Sequence, residues 1–348
     1  MSEPLITTVI PTFRRPKTLR RAIRSVLSQT FTNFRVCIYD NASGDETAEV
    51  VEEFRRIDFR IQYVCRANNI GMFANFVDGA NRVETPFFSF LSDDDVMLPR
   101  FFETALAGFQ RYPEAAMSIL ATVRMSDTGL ALDAPILHWP EGLLLPPDGM
   151  LSILRHGNPD LPGLLIRRDV LRGIGLDETT TPPSDLDFEL QVTARFPVVV
   201  SRQPGGILLI HKDTATSASC LDGVWPCFPR MAQKLVSDQS IPQAARQEAA
   251  ETLNCWLKKG LIMRGVIRSI TRGRWDEAEE AAKLFLNECK WTRGAVIIRP
   301  ARTVIQKLPG TRSALRAMLG ARASLRVLRH LDLQWRFRAY SKMVRALP

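Results

Sequence analysis

The strongest chemical signal in the chain is a run of three carboxylates, Asp93, Asp94 and Asp95, directly after the mostly apolar stretch 87–91. Neighbouring like charges repel and raise one another's pKa, so such a run calls for open solvent, basic side chains or a bound cation. Other acids stand in similar places. Asp40 ends the run 34–40, and Asp185 and Asp187 open the helix-like segment 186–196. His211, one of four histidines, closes the apolar run 205–210. A GxxxxGK[ST] loop is absent and no GxGxxG follows the first apolar run, which sets aside P-loop and ordinary dinucleotide chemistry. A ligand held by carboxylates remains, and the simplest is a divalent metal. Mg²⁺ or Mn²⁺ takes hard oxygen ligands and is shared between one or two carboxylates and a substrate's phosphates.

The elements that must position these groups alternate regularly. Residues 5–13, 34–40, 61–66 and 87–91 are apolar runs with strand character. Between and after them, segments 14–29, 43–54, 72–83 and 99–112 have helical spacing. The first puts Leu19, Ile23, Val26 and Leu27 on one face behind Pro16, and Ser43 with Glu46 fits a capping box for the second. Such alternation predicts an α/β fold, a mostly parallel sheet flanked by helices. Ligands of such sheets bind beyond the carboxyl ends of the strands, which is where Asp40 and Asp93–Asp95 fall.

Composition bounds the rest. Of 348 residues, 45% are hydrophobic and 24% charged, the balance of an ordinary globular protein. The six cysteines form no CxxC pair or zinc spacing, and the N-terminus lacks a signal-peptide pattern, so reduced thiols and a cytoplasmic location are expected. No window reaches the roughly 18 apolar residues of a membrane span. The net charge of +9 is local: residues 291–348 hold 13 Lys+Arg and one acid, Asp332, while the remainder is slightly acidic. That tail mixes Arg with Leu, Trp, Phe and Tyr, which suits an anionic membrane surface. A solvated basic helix or an unstructured end suits it equally, and nucleic acid ranks behind both because no recognised module surrounds it.

Together the segments "TTVIPTFRRPKTLRRAIRSVLSQTF", "VCIYDNASGDET", "NNIGMFANF" and "FLSDDDVMLP" resemble the inverting family 2 glycosyltransferases of the GT-A fold, with the likeness running over roughly residues 5–220. The resemblance implies a nucleoside-diphosphate sugar donor, a glycan, lipid-linked or other hydroxyl acceptor, and a role in bacterial-type surface glycan or polysaccharide synthesis. It assigns Pro11, Thr12 and Phe13 to the nucleotide pocket and Asp40 to the base. Asn69 and Gly71 fall near the sugar nucleotide, Asp93 near the ribose, and Asp94 and Asp95 at the metal, with Asp94 favoured. His211 would face the diphosphate or metal, although a lone histidine is more often structural. Asp185 falls on the general-base position, with Asp187 as the nearby substitute; the first turn of a helix also favours an acid at Asp185 for structural reasons alone. Arg14, Asn41, Ser92 and Ser184 depart from the family's usual residues.

The expected organisation is a GT-A-like domain over 1–220, with a nucleotide half to about 110 and an acceptor half over 111–220. A helical extension over 221–290 and the basic, partly amphipathic tail 291–348 follow. The alternative to an enzyme is a non-catalytic sugar-nucleotide binder or scaffold of the same fold.

Overall fold

The computed structural model describes residues 3–181, 183–211, 226–256 and 331–346, with isolated positions between them. Its first strand, β1 (Ile6–Thr12), is rich in β-branched residues and buries Ile6, Val9 and Ile10 completely. It pairs in parallel with β2 (Phe34–Asp40), Thr12 opposite Asp40, and β2 pairs in parallel with β3 (Ile61–Cys65), Asp40 opposite Cys65. On its other side β1 pairs with β4 (Phe87–Phe90), Ile6 opposite Phe87 and Val9 opposite Phe90. Because β4 ends level with Val9, the residues that follow it run past the carboxyl end of β1. That register brings Asp93–Asp95 to Thr12.

The connecting helices are α1 (Pro16–Leu27), α2 (Thr47–Arg55), α3 (Met72–Asn81) and α4 (Phe101–Arg111). Pro16 opens α1, and Leu19, Ala22, Ile23 and Val26 form its buried face. The expected capping box on α2 does not form. The Thr47 N–H is taken by Asp45 Oδ1 at 3.0 Å, while the Ser43 hydroxyl donates to the Asp40 carboxylate at 2.5 Å. A buried carboxylate is the stronger acceptor, so Ser43 serves the strand end and not the helix.

The second half extends the same sheet. Strands β5 (Val96–Met97), β6 (Met117–Ser126), β7 (Ala131–Asp133), β8 (Gly142–Leu144), β9 (Leu164–Arg167) and β10 (Val198–Ile210) join it in the order β3-β2-β1-β4-β9-β6-β10-β5, with β7 on β6 and β8 on β10. The sheet is mixed: β10 runs parallel to β6, whereas β9, β5, β7 and β8 pair antiparallel. Helices α5 (Asp148–His156) and α6 (Ser184–Arg195) flank this half. Strand β10 is bulged between Ser201 and Gly206, where a Cβ on Gly206 would lie 2.5 Å from the Pro162 Cβ. Only glycine lets the strand press against the Pro162 turn.

One face of the sheet packs on α1, α2 and α4 around Phe101 and Phe102; the other packs on α5 and α6 around Phe88, Phe90, Trp139 and Phe188. Of the expected helical extension, Cys227–Ser237 and Gln243–Cys255 are described, and both pack on this second core through Phe228, Met231, Ala249 and Leu253. Of the tail, Leu331–Arg336 and Arg338–Ala346 are helical. Leu333, Phe337 and Val344 close a third core with Val96, Val123, Ile207 and Leu209. The remainder of 257–330 lies almost entirely outside the described residues. Among the described residues, no helix is long and apolar enough to cross a membrane.

Candidate active site

Three elements converge on the aspartate run. From β1, the Thr12 hydroxyl donates to Asp93 Oδ2 at 2.7 Å. From the start of α1, Arg15 Nη1 donates to Asp93 Oδ1 at 3.2 Å and to Asp94 Oδ2 at 2.8 Å, and Arg21 Nη2 holds the Asp94 carbonyl at 2.6 Å. From the end of β10, His211 Nε2 lies 3.1 Å from Asp94 Oδ2 and the Leu209 N–H donates to Asp95 Oδ1 at 2.9 Å. All three aspartates are buried. Burial, then the neighbouring Asp94, push Asp93 up to about 6, against the pull of Thr12 and Arg15. Burial and Asp94 raise Asp95 well above the ordinary carboxylate range as well. Arg15 and Arg21 were not singled out in the sequence. Their signal was a basic cluster at the start of a helix, which reads equally well as a solvated face.

Asp40 is buried at the end of β2 with both carboxylate oxygens engaged. Oδ1 accepts from the Ser43 N–H at 3.0 Å and the Ser43 hydroxyl, and Oδ2 from the Tyr63 hydroxyl at 2.6 Å. Ser43 Oγ also accepts the Arg14 N–H at 2.9 Å, which ties this strand end to Pro11, Thr12 and Phe13. Phe13 is exposed, with the Arg14 guanidinium 5.1 Å from its ring centre. Asn69 Oδ1 accepts from Asn41 Nδ2 at 3.0 Å and from the Gly71 N–H at 2.9 Å. Gly71 enters α3 with φ +89°, a conformation that favours glycine. Pro11, Thr12, Phe13, Asp40, Asn69, Gly71 and Asp93 thus line one rim, at the carboxyl ends of β1, β2 and β4.

Asp160 links the aspartate run electrostatically to α6. Asp185 sits in its first turn, where Oδ1 accepts the Leu186 N–H at 2.8 Å. Burial raises its pKa, Asp160 adds to the rise, and the Leu186 N–H opposes it. Asp187 faces elsewhere: it is 2% exposed, accepts from Thr180 Oγ1 at 3.1 Å, and pairs at 2.5 Å with Lys234, which also pairs with Asp177 at 2.5 Å. Asp160, in a left-handed turn at φ +67°, receives a two-pronged bond from Arg124 at 2.8 and 2.9 Å. Its carboxylate acts electrostatically on Asp95, Asp185 and the buried Glu189, so it lies between the aspartate run and α6. The sequence offered no sign of Arg124–Asp160, because 36 positions separate the partners.

A strand-end aspartate run at the carboxyl edge of a mixed sheet flanked by helices defines a GT-A-type α/β fold. Residues 7–142 match the model of glycosyl transferase family 2. A GalNAc(5)-diNAcBac-PP-undecaprenol β-1,3-glucosyltransferase of Campylobacter jejuni is 32% identical over 104 residues, 30% of this chain and 34% of that protein. The putative teichuronic acid biosynthesis glycosyltransferase TuaG of Bacillus subtilis is 24% identical over 184 residues, 50% of this chain and 72% of that one. The chain therefore spans about a third of the length of the Campylobacter relative. Among solved structures, S. aureus TarS 1–349 in complex with UDP-GlcNAc superposes with a TM-score of 0.64 at 16% identity, over 81% of this chain and 80% of TarS 1–349. The mannosyltransferase PcManGT of Pyrobaculum calidifontis, in complex with GDP-Man and Mn²⁺, gives 0.53 at 13% identity, over 94% and 88%. At these identities the structures speak for the fold.

Among the described residues, no three His, Cys, Asp or Glu side chains gather into a ready-made metal site. The donor chemistry nevertheless fits a divalent cation that is completed by substrate phosphates. Asp94 Oδ2 and His211 Nε2 meet at 3.1 Å, an oxygen and an imidazole aimed at one place.

Proposed function

We propose that this protein is an inverting glycosyltransferase that moves a sugar from a nucleoside-diphosphate donor to a hydroxyl acceptor in surface-glycan synthesis. The observation that carries this reading is the aspartate run. Asp93–Asp95 are held at the carboxyl edge of the sheet by Thr12, Arg15 and the end of β10, and Asp160 acts electrostatically on both Asp95 and Asp185 on α6. The family-model match over residues 7–142, the relatives named for glycan assembly and the neighbours holding UDP- or GDP-sugars support it.

In this reading the rim from Pro11 to Phe13, with Asn69 and Gly71, receives the nucleotide, and Asp93 meets the ribose. Asp40 is fully engaged by Ser43 and Tyr63, so it stiffens the pocket and accepts from the base only by exchanging one of those partners. Asp94 and His211, with Asp95 braced behind them, would hold Mg²⁺ or Mn²⁺, which when bound stabilises charge on the departing diphosphate. Arg15 contributes positive charge at the same place. Asp185 takes the proton from the acceptor hydroxyl as that oxygen attacks the anomeric carbon from the face opposite the diphosphate, and a single displacement inverts the centre. Asp187 anchors α6 to Lys234. Leu331 and Trp335 are exposed beside Arg336 and Arg338, a surface suited to an anionic membrane.

Arg15 also favours a second reading, a sugar-nucleotide binder without turnover, because an arginine that already neutralises Asp93 and Asp94 lessens their need for a metal. One experiment separates the two. UDP-, GDP- and dTDP-sugars are screened with and without Mn²⁺ for thermal stabilisation, and stabilising donors are then assayed for sugar release or transfer. Metal-dependent transfer supports the enzyme, binding without turnover supports the binder, and no stabilisation by any donor would defeat both.

A further inference from the structure

Glu189 is the most unusual group in the described residues. It is 0% exposed, lies one helical turn beyond Asp185 on α6, and has no charged hydrogen-bond partner among the described residues, only the Asn158 amide nearby. Residues four apart on a helix share a face, so the two carboxyls are neighbours. A fully buried carboxylate with no cation bonded to it is costly enough that the group holds its proton instead.

The charged and polar groups facing Glu189 come from three elements. Asp185 lies on its own helix, Asp160 and Asn158 in the turn after α5, and Arg124 on β6. Burial raises the Glu189 pKa well above its usual value. Asp185 and then Asp160 add to the rise, and Asn158 and Arg124 only partly oppose it. Arg124 is committed to Asp160, with a further contact to Asp133 at 3.6 Å. The environments of the two carboxyls therefore diverge. Asp185 has the Leu186 N–H and the positive end of the helix in the first turn, both of which favour its charge. Glu189, a turn deeper, has neither.

We propose that Asp185 and Glu189 work as one pair sharing a single proton, which resides on Glu189 and leaves Asp185 ionised to accept the proton of an acceptor hydroxyl. Two carboxyls whose surroundings push their titrations apart take separate acid and base roles. Here the neutral member spares the base a second negative charge at its side. Glu189 is a positioning residue that acts through Asp185. This rests on Asp185 being the base of the proposed transferase.

The test is a ¹³C-carboxyl NMR titration of the full chain, in wild type, Glu189→Gln and Asp185→Asn. In the wild type one glutamate carboxyl should titrate far above the ordinary range. That signal should vanish in Glu189→Gln, while the aspartate titration stays nearly in place, because glutamine is as neutral as the protonated glutamate it replaces. In Asp185→Asn the high glutamate titration should move down, an independent reading if the Gln variant folds poorly.

Stability supplies a second readout. A carboxyl whose folded pKa is raised destabilises the native state as pH climbs through its unfolded value of 4.5. Glu189→Gln should therefore be more stable than wild type at neutral pH, with the gap closing towards pH 4. With a donor found by the screen above, the acid limb of the transfer–pH profile should stay in place in Glu189→Gln, because both side chains are neutral where Asp185 ionises. A glutamate at position 189 that titrates in the ordinary range would overturn the proposal, as would two carboxyls that titrate independently. A pair that titrates as stated in a protein that transfers no sugar would sink the transferase reading and leave the pair standing.

Discussion

His211 Nε2 lies 3.1 Å from Asp94 Oδ2, and so joins the end of β10 to the loop after β4 across 117 positions of sequence. The same carboxylate oxygen accepts from Arg15. Asp94 is thus where the β1–α1 loop, the aspartate run and the last strand of the sheet are tied together. Each of those elements would be displaced from the donor if the tie were loosened.

Changing Asp94 to Asn keeps the side-chain shape and removes the negative charge. Mn²⁺-dependent stabilisation by a donor should weaken by more than about 10-fold, the lower end of the loss caused by removing even an outer partner of a metal ligand. The effect is read from donor titrations at fixed Mn²⁺. An unchanged metal dependence would remove Asp94 from the metal site.

Much of the nucleotide half was legible in the sequence. The runs 5–13, 34–40, 61–66 and 87–91 became β1 to β4 within a residue or two, because each combines β-branched apolar residues with a polar stop. The strand-end aspartates were equally legible, since a carboxylate after an apolar run marks the carboxyl edge of a parallel sheet. The antiparallel strands of the second half were hidden. β5, β7 and β8 are two or three residues long, too short for any periodicity. Partners that meet only through the fold, such as Arg15 with Asp93 and Arg124 with Asp160, leave no local pattern. Glu189 was missed because its burial depends on what packs over α6, although its spacing of four from Asp185 was there to be seen.

Cysteine chemistry offers a test of the nucleotide rim that needs no mutation. Cys65 is exposed with Sγ 3.7 Å from Asp40 Oδ2, whereas Cys37 is buried and its thiol is pushed up to about 11, first of all by that burial. The thiolate is the reactive form, so at pH 8 iodoacetamide should modify Cys65 well before Cys37. A bound donor should slow labelling of Cys65 if the nucleotide lies over the end of β2. Labelling at an unchanged rate with saturating donor would move the nucleotide elsewhere.

The docked part of the tail makes separable predictions for stability and for surface binding. Phe337 is 1% exposed in the third core, so Phe337→Ala should destabilise the protein by about 3–5 kcal/mol, read by urea unfolding. Leu331 and Trp335, at 59% and 71% exposed, contribute little to that core. Replacing both with Ser should leave unfolding nearly unchanged and weaken binding to anionic vesicles, and raised salt should weaken vesicle binding of the native chain. Native protein that stays off anionic vesicles at low salt would dismiss the membrane surface.

Asp185 and Asp187 are two residues apart and face different partners, and that difference separates catalysis from architecture. Asp185 accepts the Leu186 N–H in the first turn of α6; Asp187 is locked to Thr180 and Lys234. Asp185→Asn should preserve the fold, because asparagine keeps the side-chain shape and can still accept the Leu186 N–H in the first turn. It should lower sugar transfer by roughly 10²–10⁴, the usual contribution of a general base. Donor affinity should hardly move. Asp187→Asn should do the reverse: it removes the charge that Lys234 answers and should lower stability by about 1–3 kcal/mol, toward the small end because Lys234 is about a third exposed. Folded protein in that variant should keep most of its transfer rate. Measuring unfolding and transfer on both variants decides the matter. An inactive, stable Asp187→Asn beside an active Asp185→Asn would move the base to Asp187, and near-normal transfer by both would leave the reaction without the base assigned to it.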